Sequence, residues 1–129
     1  MNPARPQVAV EQYHTTLYVA DLSAAIKFYT ERLGFELAFT WGDPAEMAGV
    51  NLDCTQIFLE VGTPAPQGCS LYFVIDNADD FHAFHEGNGV EIVEALGERP
   101  WEFRDYTVRD LNGYLFTFGH RVPGGLPSN

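Results

Sequence analysis

The feature that most constrains the fold is an order of structural elements that occurs twice along the chain. Residues 12–22 alternate between apolar and other side chains with a period of two, which predicts a β-strand with two unlike faces. Ile26, Tyr29 and Leu33 then recur at helical spacing within residues 24–33, which predicts an amphipathic helix. A second strand is predicted at residues 35–41, and a turn-rich loop at residues 42–49 separates it from further strands at residues 49–52 and 56–61. The first half therefore has the order βαβββ.

The second half repeats this order after a linker rich in proline and glycine at residues 62–68. A strand is predicted at residues 69–74, a helix with the stripe Ala78, Phe81 and Phe84 follows it, and the next strand covers residues 90–96. Each predicted helix begins after a polar residue that can cap it and ends at a glycine. The first has Asp21 or Ser23 as its N-cap and ends at Gly34, and the second has Asp76 or Asn77 as its N-cap and ends at Gly89. We predict an α+β fold of two tandem βαβββ modules, one at about residues 10–62 and one at about residues 69–120.

The composition sets limits on the class of protein. A chain of 129 residues and 14.4 kDa fits one compact domain, residues 1–129. Eighteen acidic residues against seven basic ones give a net charge of −11, which repels phosphate backbones and argues against nucleic-acid binding. No apolar run is long enough for a membrane span, no signal peptide precedes the first strand, and the two cysteines have no metal-type spacing. We therefore expect a cytoplasmic protein that does not contact membranes.

Two motifs resemble those of the vicinal-oxygen-chelate superfamily. H-x-x-L-x-V-x-D-L-x-x-A-x-x-F-Y, from His14 to Tyr29, resembles the opening of a first module, and R-P-W-x-x-R-x-x-x-V-R-D-x-x-G-x-L-x-x-F, from Arg99 to Phe118, resembles the closing of a second. The superfamily includes glyoxalase I, extradiol dioxygenases, thiol-transferring fosfomycin-resistance enzymes and metal-free bleomycin-resistance proteins. The resemblance implies curled sheets that form a ligand cup. It also implies a homodimer, because such sheets leave strand edges that a second chain usually covers.

The resemblance also identifies the positions that hold a metal in the metal-dependent members. They correspond here to His14 and Glu60 in the first module and, by displacements of 55 and 57 residues, to Cys69 and Thr117 in the second. A thiol is too soft for a hard, oxygen-binding metal and a threonine hydroxyl is a poor ligand. We therefore predict no metal and no other cofactor. His14 and Glu60 stay candidates for a catalytic pair under an alternative, in which a divalent metal and an unrecognised third ligand support a lyase, isomerase or dioxygenase. The pair could also act as a general base with the residue that orients it.

The closing segment resembles that of the bleomycin-resistance proteins, in which aromatic side chains stack on a cationic glycopeptide without turnover. Rigid rings suit such stacking because they lose little entropy on binding. The predicted ligand-binding residues are His14, Phe39, Trp41, Phe58, Glu60, Trp101 and Tyr106.

His82 and His85, beside several acidic residues, are predicted to lie on the solvated face of the second helix.

These features lead to one leading hypothesis and two alternatives. The leading one is a metal-free small-molecule binding protein that sequesters an aromatic or cationic ligand, such as a glycopeptide antibiotic. The main alternative is the metal-dependent enzyme that uses His14 and Glu60. A third possibility is a domain that keeps the fold but serves as a subunit or sensor.

Overall fold

A computed structural model describes residues 4–122 and contains the two predicted modules. In each module a strand and a helix precede three strands, in the order predicted from the sequence. The bounds in the first module are β1 Thr15–Val19, α1 Leu22–Lys27, β2 Glu36–Gly42, β3 Ala45–Leu52 and β4 Thr55–Val61. Those in the second are β5 Ser70–Val74, α2 Ala78–Gly87, β6 Glu91–Glu98, β7 Phe103–Arg109 and β8 Leu115–Arg121. No helix within residues 4–122 is long and apolar enough to cross a membrane.

Each module forms one four-stranded mixed sheet. The first sheet has the strand order β1-β4-β3-β2 and the second has β5-β8-β7-β6. In both sheets the first and last strands of the module pair in parallel, and the other neighbours pair antiparallel. This shared topology confirms the α+β fold of two βαβββ modules.

The helix boundaries follow the capping signals in the sequence. Asp21 Oδ1 accepts a hydrogen bond from the amide of Ala24, and Asn77 Oδ1 accepts one from the amide of Asp80. These side chains satisfy amides of the first turn that have no partner within the helix. After Lys27 the first helix continues as a π-helical turn, Phe28–Arg32, before Gly34 turns the chain with a φ of 87°.

Strand β3 is longer than the sequence predicts. Residues 45–48 were expected in a loop, but β3 begins at Ala45 and pairs with β2 on one side and with β4 on the other. Two neighbouring strands satisfy its backbone polar groups, so hydrogen bonding within the sheet overrides the weak strand propensity of this segment.

The two modules share one hydrophobic core. Phe35 of the first module packs edge-to-face against Phe73 and Phe116 of the second. Three buried or half-buried hydrogen bonds also cross the junction: Tyr29 to Asp110 at 2.5 Å, His85 to the carbonyl of Leu33 at 2.8 Å, and Tyr114 to the carbonyl of Tyr18 at 2.7 Å. Each helix packs on the core side of its own sheet. The opposite side of each sheet is called its outer face below.

The prediction that His85 lies on a solvated helix face is wrong. Its side chain is completely buried, while His82 one turn earlier is half-buried. The Nε2 atom donates to the carbonyl oxygen of Leu33, so Nδ1 accepts from the Tyr106 hydroxyl at 2.7 Å. Acidic neighbours along the sequence did not reveal these partners, because both lie far away in the chain.

Candidate functional site

The outer face of the first sheet carries most of the residues predicted to bind a ligand. Leu17, Val19, Ile57 and Leu59 are buried in the core, so the alternate residues of β1 and β4 point to the outer face. The side chains of His14, Phe39, Trp41, Phe58 and Glu60 meet on this surface or at its margin. Several large apolar side chains there are exposed, which is typical of a surface that binds a ligand or a partner.

One row of side chains crosses the whole first sheet. The strand register places Tyr18 beside Glu60, Glu60 beside Met47, and Met47 beside Trp41. Trp41 at the end of this row is 61% exposed. An open cavity of about 700 Å³ lies over this end of the row and is lined by Trp41, Pro44, Ala45, Glu46, Met47, Glu60 and Val61.

Two carboxylates determine the charge of this cavity. Glu46 and Glu60 both line it, and no lysine or arginine is among its lining residues, all of which belong to the described chain. Within residues 4–122 neither carboxylate forms a salt bridge. An aromatic wall next to uncompensated negative charge favours a cation, because both the ring face and the carboxylates attract it.

The neighbouring row is aromatic and closely packed. His14 stacks on Phe58 with ring centroids 4.4 Å apart, and Phe39 meets Phe58 edge-to-face at 5.7 Å. Gly49 lies beneath Phe39, and a Cβ atom at this position would come within 2.3 Å of the Phe39 ring. The absence of a side chain at residue 49 therefore lets Phe39 lie flat across β3.

The register separates the two residues proposed as a catalytic or metal-binding pair. Thr15 pairs with Ile57, so His14 lies next to Gln56, whereas Glu60 pairs with Tyr18. Four residues of strand, about 13 Å, therefore lie between the positions of His14 and Glu60. His14 Nε2 donates instead to Gln12 at 2.8 Å. Among the described residues, no hydrogen bond or ion pair joins the side chains of His14 and Glu60.

The positions predicted to correspond in the second module do not supply ligands either. Cys69 packs against the core, and the Thr117 hydroxyl shares a 2.7 Å hydrogen bond with Thr107. The displacement of 55 residues aligned Cys69 with His14, although the two lie on opposite faces of their sheets. Leu17 and Leu71 both point to the core, so β1 corresponds to β5 by an even displacement of residues. The displacement of 55 is off by one residue, and such an error moves every side chain of a strand to the opposite face. Among the described residues, no group of three or more histidine, cysteine or acidic side chains is arranged to hold a metal.

The outer face of the second sheet carries a polar network that the sequence analysis missed. Tyr72 donates to Asp105 Oδ2 at 2.7 Å, and Arg99 Nε donates to Asp105 Oδ1 at 2.6 Å. Burial of the Tyr72 hydroxyl and its hydrogen bond to Asp105 raise the pKa of Tyr72 to about 12, and the nearby Trp101 side chain opposes this rise. Trp101 lies in the β6–β7 turn and is 47% exposed. The alternation of β5 was the available signal, since it places Tyr72 opposite the core-facing Leu71 and Phe73.

Tyr106 does not line either outer face. It was predicted to bind the ligand, but its side chain is fully buried on the core side of β7, where its hydroxyl bonds to His85. Desolvation raises the pKa of Tyr106 well above the usual tyrosine range. Of the seven predicted ligand-binding residues, five lie at the first sheet, Trp101 lies on the second module, and Tyr106 belongs to the core.

The fold and the two outer faces define a class: small proteins of two paired βαβββ modules whose sheets leave aromatic surfaces open to ligands. The model of the glyoxalase/bleomycin resistance protein/dioxygenase superfamily matches residues 12–118. The chain therefore belongs to this superfamily, which confirms the resemblance seen in the motifs. A search of curated protein sequences gives no match.

Solved structures show the same fold at low sequence identity. TioX from Micromonospora sp. ML1 is 20% identical, with a TM-score of 0.76 over 88% of this chain and 100% of that one. TnmS3, described as an antibiotic binding protein from Streptomyces sp. CB03234, is 22% identical, with a TM-score of 0.76 over 90% and 100%. A glyoxalase-related enzyme from Clostridium phytofermentans is 16% identical, with a TM-score of 0.77 over 92% and 100%. Binding proteins and enzymes thus share this architecture.

Proposed function

We propose that this chain is a metal-free small-molecule binding protein that sequesters an aromatic, cationic ligand on the outer face of its first sheet. The observation that carries the proposal is the row Tyr18, Glu60, Met47 and Trp41, which combines aromatic rings, a polarizable thioether and a carboxylate over one cavity. Stacking rings supply affinity, and the carboxylates of Glu46 and Glu60 supply selectivity for positive charge. The likeness of the fold to TnmS3 is consistent with a role in antibiotic binding.

The geometry gives less support to the metal-dependent enzyme. That function needs His14 and Glu60 to share an ion or a proton, but the register offsets their backbone positions by about 13 Å along the strands, and no hydrogen bond or ion pair joins them within residues 4–122. A general base must lie within hydrogen-bond reach of the group that orients it, or one water away. His14 is instead stacked on Phe58 as part of the aromatic surface.

We also propose that the protein acts as a homodimer. Strands β1 and β2 form the edges of the first sheet, and β5 and β6 form those of the second. Unpaired strand edges and exposed aromatic faces are features that a second copy commonly covers. A second chain would also shield a bound ligand from solvent on the side that the first sheet leaves open.

A pair of matched planar probes tests the binding function. 9-Aminoacridine is cationic at neutral pH and acridine is uncharged, so their affinities, measured by calorimetry, separate charge from stacking. We expect 9-aminoacridine to bind more tightly, with an advantage that falls as salt is added. Glu60→Gln should reduce that advantage about fivefold, the equivalent of roughly 1 kcal/mol for a half-buried ion pair. Bleomycin titrated alongside tests a glycopeptide antibiotic directly.

Two controls make the result specific. Glu31→Gln removes the same charge from an exposed position on the π-helical turn, so it reports the long-range effect of net charge alone. Trp41→Ala should weaken both probes alike, because it removes the aromatic wall of the cavity and stacking does not depend on the charge of the ring system. Equal affinities of the two probes for the unmodified protein, unchanged by Glu60→Gln, would refute the electrostatic part of the proposal. Absence of binding by all three ligands would count against the binding function itself.

A further inference from the structure

The β6–β7 turn is held by an unusually dense set of bonds around a single arginine. The backbone amide of Arg99 donates to the carbonyl of Phe103 at 2.7 Å, and the amide of Glu102 donates to the carbonyl of Arg99 at 2.9 Å. The Arg99 guanidinium adds bonds to the carbonyl of Ala95 at 2.6 Å and to the carbonyl of Asp105 at 3.0 Å. Trp101 stands at the tip of this turn. Its neighbour Glu102 has a φ of 64°, a left-handed conformation that costs energy for a residue with a side chain.

A buried carboxylate anchors the arginine. Asp105 is only 2% exposed, and each of its side-chain oxygens accepts one bond, from Arg99 and from Tyr72. The sheet leaves room for this arrangement because residue 119 is a glycine. A Cβ atom there would come within 2.7 Å of the Asp105 Cβ and 2.8 Å of the Tyr72 hydroxyl. The ion pair between Asp105 and Arg99 therefore depends on four positions: Tyr72 on β5, Asp105 on β7, Gly119 on β8 and Arg99 in the turn.

Such a contact is a poor way to obtain stability alone. Removing two charges from water costs several kcal/mol, and apolar residues of similar volume often stabilise a protein as well or better. The pair also lies on the outer face of the second sheet, which neither α1 nor α2 covers, rather than in the shared core. Its structural effect is to fix the geometry of the turn that carries Trp101 and to place Tyr72 beside it.

We infer that Asp105 and Arg99 are positioning residues that hold Trp101 and Tyr72 as a preformed stacking surface for a planar aromatic group. The inference rests on the proposed binding function and extends it to the second module. A rigid aromatic platform binds more tightly than a mobile one because less conformational entropy is lost when the ligand stacks on it. Asp105 and Arg99 act through Trp101, without having to touch the ligand.

The mobility of Trp101 tests the inference without any ligand. In a Trp41→Phe background Trp101 is the lone tryptophan of the sequence, so its fluorescence anisotropy and its quenching by acrylamide report the turn alone. Asp105→Asn should lower the anisotropy and raise the quenching constant about twofold or more. Arg99→Lys, which keeps the charge but loses the planar fork, should act in the same direction. Glu91→Gln is the matched control, since it breaks the ion pair with Arg109 at the other end of the β6–β7 pairing, far from the turn.

A double-mutant cycle connects the mobility to binding. For 9-aminoacridine, Asp105→Asn should weaken binding about fivefold when Trp101 is present and less than twofold in the Trp101→Ala protein, because the two residues act as one unit. A folded Asp105→Asn protein with unchanged Trp101 anisotropy and quenching would overturn the inference, and so would equal losses in the two backgrounds. If Asp105→Asn does not fold, the same measurements on Arg99→Lys decide. Increased mobility with no probe bound by any variant would uphold the positioning role and refute the proposed function instead.

Discussion

Protonation of His85 should make the free energy of unfolding depend on pH in the mildly acidic range. Burial lowers the pKa of His85 to about 4 from an ordinary value of 6.5, while the hydrogen bond to Leu33 opposes that shift. The folded protein holds the neutral ring, because Nδ1 is the acceptor for Tyr106. In the unfolded chain the ring binds a proton below about pH 6.5. The stability contributed by the neutral ring is therefore present above pH 6.5 and is lost as the pH falls toward 4.

The size of the effect follows from the two pKa values. A difference of about 2.5 pH units corresponds to roughly 3 kcal/mol when complete, and about 2 kcal/mol of this is lost between pH 7 and pH 5. Against a total stability of about 5–15 kcal/mol, such a loss is easily measured. Urea unfolding at both pH values, followed by circular dichroism, gives the two free energies.

Comparison with His85→Gln isolates this residue from other titrating groups. Glutamine cannot be protonated in this range and can still donate to the carbonyl of Leu33, so the variant should be less stable at pH 7 but less sensitive to acid. The stability difference between the two proteins should shrink by about 2 kcal/mol from pH 7 to pH 5. His82→Gln serves as the control on the same helix and should keep the acid sensitivity of the parent. A constant difference between the parent and His85→Gln across this range would refute the reasoning.

Three further predictions concern assembly, metals and the aromatic surface. Light scattering at micromolar concentration should show a dimer, and a monomer would contradict the proposed assembly. Nickel, zinc, manganese or ferrous iron should change the melting temperature little, because we expect no metal site. A real site, with metal added at 100 times its Kd, would stabilise the fold by about 2.7 kcal/mol. A large shift of the melting temperature that disappears in His14→Ala would revive the enzyme hypothesis. Gly49→Ala should displace Phe39 and weaken the binding of 9-aminoacridine several-fold. The free energy of unfolding should change by less than about 1 kcal/mol, since the lost ring contact and the gained strand propensity nearly cancel. An unchanged affinity for 9-aminoacridine would place Phe39 outside the binding surface.

Periodicity along the chain, together with the motifs at residues 14–29 and 99–118, was enough to predict the fold. The alternation of β1 and β5, the helical stripes and the capping residues are local signals, so the two modules were predictable, and each helix start was predicted as one of two neighbouring candidates, of which Asp21 and Asn77 are the caps. Sheet pairing is not a local property. For that reason the early start of β3 at Ala45 could not be predicted from its own composition.

The candidate site was predictable only in part, because a site depends on which residues face each other. Alternation along β4 was enough to place Phe58 and Glu60 on the same face, whereas Phe39 and Trp41 were predicted only from the resemblance to the superfamily. The alignment of the two halves by an odd displacement, however, assigned Cys69 to the wrong face. The separation of His14 from Glu60 required the parallel register of β1 with β4, which no short sequence pattern encodes.

The alternation of the strands also has a consequence for how this protein can change over evolutionary time. Core residues and outer-face residues occupy alternate positions of the same strands, and the shared core joins both modules from the opposite side. Substitutions at positions such as 18, 41 or 60 therefore alter the outer face without changing a buried core residue. Because most mutations are destabilising and proteins have little stability to spare, a surface that can vary at low cost is one on which new specificities can be selected. The alternating strands thus let the outer face change in sequence while the buried face that holds the two modules together stays the same.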